Sequence, residues 1–112
     1  MRGNALARRL GASVERRTGG LRPGRCVLAE YHTRPRTIVV YEDALAVASA
    51  AARDERLQFG DEILEELAIA HECFHILDPG GSEEGAHAFA AAFLKLPTSP
   101  AVLERALARY LA

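Results

Sequence analysis

Residues 61–82 of the chain read DEILEELAIAHECFHILDPGGS, which contains the clearest helical pattern of the sequence. Apolar side chains recur along it at spacings of four and three residues, at Ile63, Leu67, Ala70, Phe74 and Leu77. This periodicity predicts a helix with one face on a core. Pro79 disfavours helical geometry at Asp78, and the two glycines that follow permit a tight reversal, so we expect the helix to end there.

His71, Glu72 and His75 in this helix form the pattern His-Glu-x-x-His. Histidines four residues apart project from one face of a helix, so both imidazoles can bind one ion at about 2.0 to 2.1 Å. Glu72 projects to one flank, where it can act as a general base towards water. A lone helical histidine is more often a hydrogen-bonded core residue. Two at this spacing beside a glutamate favour a Zn²⁺ site instead.

A catalytic zinc site has three protein ligands and a position for water, so a third ligand is required. The short connection 79–82 predicts that the next helix runs antiparallel beside the motif helix, which brings Glu83 and His87 near the two histidines. We take Glu83 as the predicted third ligand. Glu84, Asp78 and His87 remain alternatives.

The hydrophobic pattern of the rest of the sequence predicts an α+β fold that is mostly helical. Residues 26–31 and 37–41 are rich in β-branched and aromatic side chains, which predicts a short antiparallel hairpin packed on the motif helix. The glycine-rich segment 19–25 before it is predicted to be a loop. Apolar periodicity predicts further helices at about 4–18, about 42–53, from Ser82 towards Pro97, and from about 101 to the end.

Composition predicts one soluble domain over residues 1–112, since 49% of the residues are hydrophobic and 26% are charged. No apolar run approaches the roughly 20 residues that cross a membrane, and the N-terminal residues lack the apolar core of a secretory signal. We therefore expect a cytoplasmic location and no membrane partner. Cys26 and Cys73 are too few for a disulfide framework and are expected to be small core residues.

The charge is distributed unevenly along the chain. Residues 1–36 contain nine arginines and two acidic residues, whereas residues 37–104 contain thirteen acidic residues and three basic ones. A basic segment can contact nucleic acid. The alternative, which we favour, is that the basic residues lie on a solvated helix face and pair with acidic residues in the rest of the chain.

Two segments together resemble a known family. IAHECFHIL at residues 69–77 and EEGAHAFAAAFLKLP at residues 83–97 are similar to the ImmA/IrrE-type zinc peptidases, a gluzincin-like zincin family. In that family the second segment runs roughly Glu-x-Glu-Ala-Asn-x-Phe-Ala-Ala-x-Leu-Leu-x-Pro. The resemblance covers about residues 63–97 and implies a small zincin-like fold with a Zn²⁺ cofactor.

Carried over by position, the resemblance makes His71 and His75 metal ligands and Glu72 the catalytic acid and base. Glu83 matches the first acidic position of the second segment. Gly85 stands where the second glutamate is usual, and the usual asparagine is replaced by histidine.

We expect a zinc metallopeptidase that hydrolyses a peptide or protein substrate. The substrate is expected to bind as an additional strand at the edge of the hairpin. Tyr31, His32 or Tyr41 of the hairpin could then stabilise the oxyanion; the alternative, which we favour, is that each is an ordinary strand residue. The alternative is a catalytically inert, zinc-stabilised binding or regulatory module, with a nucleic-acid-associated role as a further variant. A chain of this size leaves little material for a walled cleft, so a homodimer is one way to complete the active site.

Overall fold

The motif stretch forms one continuous helix, Asp61–Leu77, in a computed structural model that describes residues 2–112. More than half of these residues are helical, and a small mixed sheet completes an α+β arrangement. In chain order the elements are α1 (Arg2–Arg9), β1 (Ser13–Arg17), β2 (Leu21–Arg22), β3 (Arg25–Cys26), β4 (Ala29–Thr33), β5 (Arg36–Tyr41), α2 (Glu42–Asp54), α3 (Asp61–Leu77), α4 (Glu83–Leu94) and α5 (Ala101–Leu111).

Strand β5 is the centre of a three-stranded sheet. Strand β1 pairs with it in parallel, with Val14 opposite Ile38, and β4 pairs with it in antiparallel fashion, with Tyr31 opposite Ile38. Residues 37–41 of β5 are buried, as expected for a β-branched and aromatic run between two partner strands. Strand β4 forms one edge of this sheet, and no other strand within residues 2–112 pairs with that edge.

Helix α3 is the central packing element. One side of it, with Ile69 and Cys73, packs against α1 and β5 in a cluster of buried side chains. Another side, with Leu64 and Leu67, packs against α2 and α5. Full burial of a leucine or isoleucine stabilises a fold by roughly 1.5 to 3 kcal/mol. Because α3 is held on both sides, the histidines on its remaining face have well-defined positions.

The N-terminal helix is shorter than the sequence predicts. The helix expected over residues 4–18 is wrong beyond Arg9, where α1 ends; Gly11 then adopts a left-handed φ of 77°, and Ser13–Arg17 form β1. Val14 does join the apolar cluster beside α1, as the four-residue spacing indicates, but it does so from a strand. Pairing with the open edge of β5 supplies backbone hydrogen bonds that local helix propensity does not take into account.

The predicted hairpin is confirmed with different boundaries. Strands β4 and β5 pair in antiparallel fashion, but β4 begins at Ala29. Cys26 pairs instead with Leu21 in a separate two-stranded hairpin, so the segment 19–25, predicted as a loop, contains a short strand. The sheet is also larger than predicted, because β1 adds a parallel strand to the pair.

The other helix predictions are confirmed by α2, α3, α4 and α5, whose bounds lie within a few residues of those expected. Cys73 is fully buried and Cys26 is half-buried, and both are free thiols. None of the helices in the described part of the chain combines the length and apolar character that a membrane span requires.

Candidate metal centre

His71 and His75 lie one turn apart on α3 with converging rings. Their ring centroids are 4.9 Å apart, and their side chains are only 15% and 23% exposed. Both Nε2 atoms lie close to a single carboxylate, that of Glu83. The two imidazoles therefore share one space, as the spacing of four residues predicts.

Glu83 is positioned by the cap of α4. The Ser82 hydroxyl accepts a hydrogen bond from the backbone N–H of Gly85 at 3.0 Å, which fixes the first turn of the helix. Oε2 of Glu83 lies 2.8 Å from Nε2 of His71, and Oε1 lies 3.2 Å from Nε2 of His75. Ligands of a tetrahedral zinc ion lie about 3.3 to 3.4 Å from one another, so both contacts are within about half an ångström of that spacing.

The other three candidates for the third ligand differ in position. Asp78 and Glu84 are exposed, as Glu83 is, but within residues 2–112 neither forms an ion pair with a histidine. His87 is buried, and its ring centroid lies 5.3 Å from that of His71. The fold thus brings Glu83 and His87 to the motif histidines and leaves the other two candidates outside.

Gly85, at the position where the resembled family has its second glutamate, lies against the ring of Phe74. A Cβ at Gly85 would be 2.9 Å from Cζ of Phe74. Any side chain at this position therefore requires the ring to move. Of the two acidic positions, the first, Glu83, is the one that reaches the histidines in this chain.

Glu72 projects from the flank of α3 towards β4. Its Oε1 accepts a hydrogen bond from the backbone N–H of Tyr31 at 3.1 Å. Donor atoms of His71, Glu72 and His75 all lie within 4.8 Å of one another. Burial raises the pKa of Glu72 to about 7, although the hydrogen bond from Tyr31 acts in the opposite direction. A carboxyl group with this pKa can accept and release a proton near neutral pH.

Burial also favours the neutral form of His71. It lowers the pKa of the imidazole, and the negative charge of Glu83 only partly opposes this effect. Neutral imidazole is the form that binds a metal ion. The environment of His71 therefore suits a ligand.

Glu104, in the first turn of α5, lies beside His87 and Glu83. It was not identified from the sequence as a candidate site residue. Its Oε1 lies 3.1 Å from Nε2 of His87, and donor atoms of Glu83, His87 and Glu104 lie within 4.8 Å of one another. No spacing pattern connects Glu104 with the motif, because the break between α4 and α5 decides where α5 packs. Its proximity is a tertiary effect.

A cleft of about 260 Å³ adjoins these residues. Its polar end is formed by His71, Glu72, Glu83, His87 and Glu104, whereas His75 is not among its lining residues. Its other walls are residues 25–30 and apolar side chains of α3 and α5, among them Leu67, Leu103 and Leu107. Ligand pockets usually measure about 300 to 1,000 Å³, so this cleft accommodates a short part of a substrate.

The hairpin candidates for oxyanion stabilisation are not at this cleft. Tyr31, His32 and Tyr41 are all absent from its lining. The side chain of Tyr31 packs in the apolar cluster between α1 and α3, and the Tyr41 hydroxyl donates a hydrogen bond to Glu30 at 2.6 Å.

Arginines of the basic N-terminal third are partly paired within the fold. Arg16 lies 2.6 Å from a carboxylate oxygen of Glu65, and Arg22 lies 2.7 Å from one of Glu30. The first pair joins the basic third to the acidic remainder of the chain, as expected, whereas Glu30 belongs to the basic third itself. Both pairs reduce the positive charge available to a nucleic acid.

The chain matches no protein-family model, no curated protein and no solved structure. Its function is therefore inferred from the motif and from the geometry of the metal centre. The similarity to the ImmA/IrrE-type peptidases remains a prediction carried by residues 63–97.

Proposed function

We propose that the protein is a zinc-dependent peptidase with a zincin-like active-site helix. The observation that supports this most is the Glu83 carboxylate, which lies within 3.2 Å of Nε2 of both His71 and His75. Glu72 stands beside the same pair, and its Oε1 is bonded to β4. Three ligands next to a further carboxylate are the residue set of a catalytic zinc site.

The donor set fits zinc. Two imidazoles and one carboxylate are ligands that Zn²⁺ accepts, and three protein ligands leave a position for water or substrate. The burial of α3 and the Ser82 cap fix these donors relative to one another. Zinc held by His71, His75 and Glu83 would supply a Lewis acid that lowers the pKa of water towards about 7 and polarises a carbonyl group.

Glu72 is the proposed general base. Its carboxylate accepts a proton from the attacking water and passes the proton to the leaving amine. The backbone N–H of Tyr31 holds Oε1 against β4, which leaves Oε2 for proton transfer. Glu72 therefore lies at the same end of the cleft as the proposed ligands His71 and Glu83.

The proposed substrate is a peptide or protein segment along the free edge of β4. Strand β5 occupies the other side of β4, so the outer backbone groups of β4, apart from the N–H of Tyr31, can pair with an extended chain. The N–H of Tyr31 lies on this outer edge, since it donates to Glu72 and not to β5. The edge and the general base are therefore in direct contact, which brings a bound backbone near the base.

The alternative is a catalytically inert, zinc-stabilised binding module. The small cleft, about 260 Å³, favours it because little of a substrate can be enclosed. In this case His71, His75 and Glu83 would hold a structural ion, and chelation would unfold the domain. A catalytic site predicts that the chelated protein is folded but inactive.

Glu72→Gln distinguishes these functions when zinc content and hydrolysis of an unstructured protein such as casein are measured together. The peptidase proposal predicts hydrolysis by the wild type and none by the variant, with zinc retained in both. An inert module predicts no hydrolysis by either protein.

A further inference from the structure

We propose that Glu83, His87 and Glu104 form a second divalent-cation site beside the one at His71 and His75. Donor atoms of the three residues lie within 4.8 Å of one another. They come from two helices, with Glu83 and His87 one turn apart on α4 and Glu104 in the first turn of α5. This site goes beyond the proposed function, which requires only one ion.

The environment of His87 points to a bound cation. The residue is only 7% exposed, and neither ring nitrogen makes a hydrogen bond. Nε2 lies 3.1 Å from Oε1 of Glu104, which is an ion-pair distance without hydrogen-bond alignment. A buried polar group without a partner costs about 1 to 3 kcal/mol. A cation between His87 and Glu104 would remove this cost at Nε2, because that nitrogen would then donate its lone pair to the ion.

The charge around His87 also favours a cation. Glu83 and Glu104 bring two carboxylates to it, and in the part of the chain that the structure describes their ion pairs are with histidines alone. No arginine or lysine of residues 2–112 therefore neutralises these carboxylates directly. One imidazole with two carboxylates suits Zn²⁺ and other first-row divalent ions.

Glu83 connects the two sites. Its Oε2 lies 2.8 Å from Nε2 of His71, and the rings of His71 and His87 are 5.3 Å apart. A carboxylate has two oxygens and can bridge two ions, as in hydrolytic two-metal sites whose ions lie about 3.5 to 4 Å apart. The second cation would add positive charge to the polar end of the cleft, where a negatively charged group of a ligand would be attracted.

Titration of the full chain with Zn²⁺, measured by isothermal titration calorimetry, tests this site. We expect two equivalents to bind to the wild type and one to Glu104→Gln. In NMR spectra of the wild type, the ring signals of His87 should shift with one equivalent and those of His75 with the other. Glu84→Gln is a matched control, because Glu84 is an exposed carboxylate on the same turn of α4 outside both clusters, and it should bind two equivalents.

His87→Gln is the second variant and should also bind one equivalent, while circular dichroism checks that each variant is folded. Two equivalents retained in both Glu104→Gln and His87→Gln would overturn the second site, as would the absence of zinc binding. A single wild-type equivalent that is lost in His71→Ala would overturn it and leave the proposed function intact. A single equivalent lost in Glu104→Gln but kept in His71→Ala would support the His87 site and overturn the proposed function.

Discussion

The backbone N–H of Tyr31 donates a hydrogen bond to Oε1 of Glu72 at 3.1 Å. The contact joins the motif helix α3 to the edge strand β4. A carboxylate held at one oxygen has fewer orientations, so this bond positions the proposed base before a substrate arrives. The same contact marks the strand edge along which we expect the substrate backbone to lie.

Glu72→Gln is expected to keep its zinc and to lose at least about 100-fold in kcat, the usual contribution of a general base. Glutamine has the same shape and can still accept the hydrogen bond from Tyr31, but it cannot take a proton from water. The measurement is kcat on a peptide that the wild type cleaves, with zinc determined in the same sample. Glu84→Gln is the control and should retain the wild-type rate. An unchanged rate in Glu72→Gln rules out the general-base role.

Glu30 is expected to make stability depend on pH in the acid range. Hydrogen bonds from Arg22 and from the Tyr41 hydroxyl lower the pKa of Glu30 from 4.5 to about 2. The folded-state pKa lies below the unfolded value, so this contribution to stability is present above about pH 4.5 and is lost as the pH falls towards 2. The Glu30 side chain is 33% exposed, and solvent screening limits the contribution to about 1 kcal/mol.

Denaturant unfolding of the wild type and Glu30→Gln over this pH range measures that contribution. The wild type should be the more stable of the two near neutral pH, and the difference should shrink as the pH falls through the range between about 4.5 and 2. Glu15→Gln, which changes a carboxylate paired with Arg17 on the surface, is the control. A difference between wild type and Glu30→Gln that does not vary with pH would show that the contacts of Glu30 with Arg22 and Tyr41 do not lower its pKa.

The sequence was sufficient to predict that His71 and His75 of α3 and Glu83 of α4 lie close together. The spacing of His71 and His75, the cap at Ser82 and the position of Glu83 all depend on residues within one or two helical turns. Local patterns of this kind are present in the sequence itself. The helical elements and the antiparallel hairpin were predictable for the same reason.

Features that depend on distant parts of the chain were not predicted. Whether Ser13–Arg17 continue a helix or form a strand depends on the open edge of β5, which lies later in the sequence. The position of Glu104 beside His87 depends on how Leu103 and Leu107 pack α5 into the core. Neither contact has a local sequence pattern, because each arises from tertiary packing.

Gly81, in the reversal between α3 and α4, should not tolerate a side chain. A Cβ there would lie 2.7 Å from Cζ of Phe74, whereas one at Gly80 has no neighbour within 4 Å. We expect Gly81→Ala to lose about 1 to 3 kcal/mol of stability through overpacking. Gly80→Ala is the matched control and should be neutral or slightly stabilising, because alanine restricts the unfolded chain. Equal Tm values for the two variants would contradict the packing of Phe74 against the reversal.

A zinc ion shared by His71, His75 and Glu83 is the central prediction. Its most direct test is the zinc content, by elemental analysis after loading and dialysis, of the wild type, His71→Ala and His32→Ala. His32 is an exposed histidine on β4 outside both clusters, so its variant is the matched control. We predict that His71→Ala holds one equivalent of zinc fewer than the wild type, and that His32→Ala holds as much as the wild type. Equal zinc in the wild type and His71→Ala, or no zinc in the wild type, would contradict the prediction.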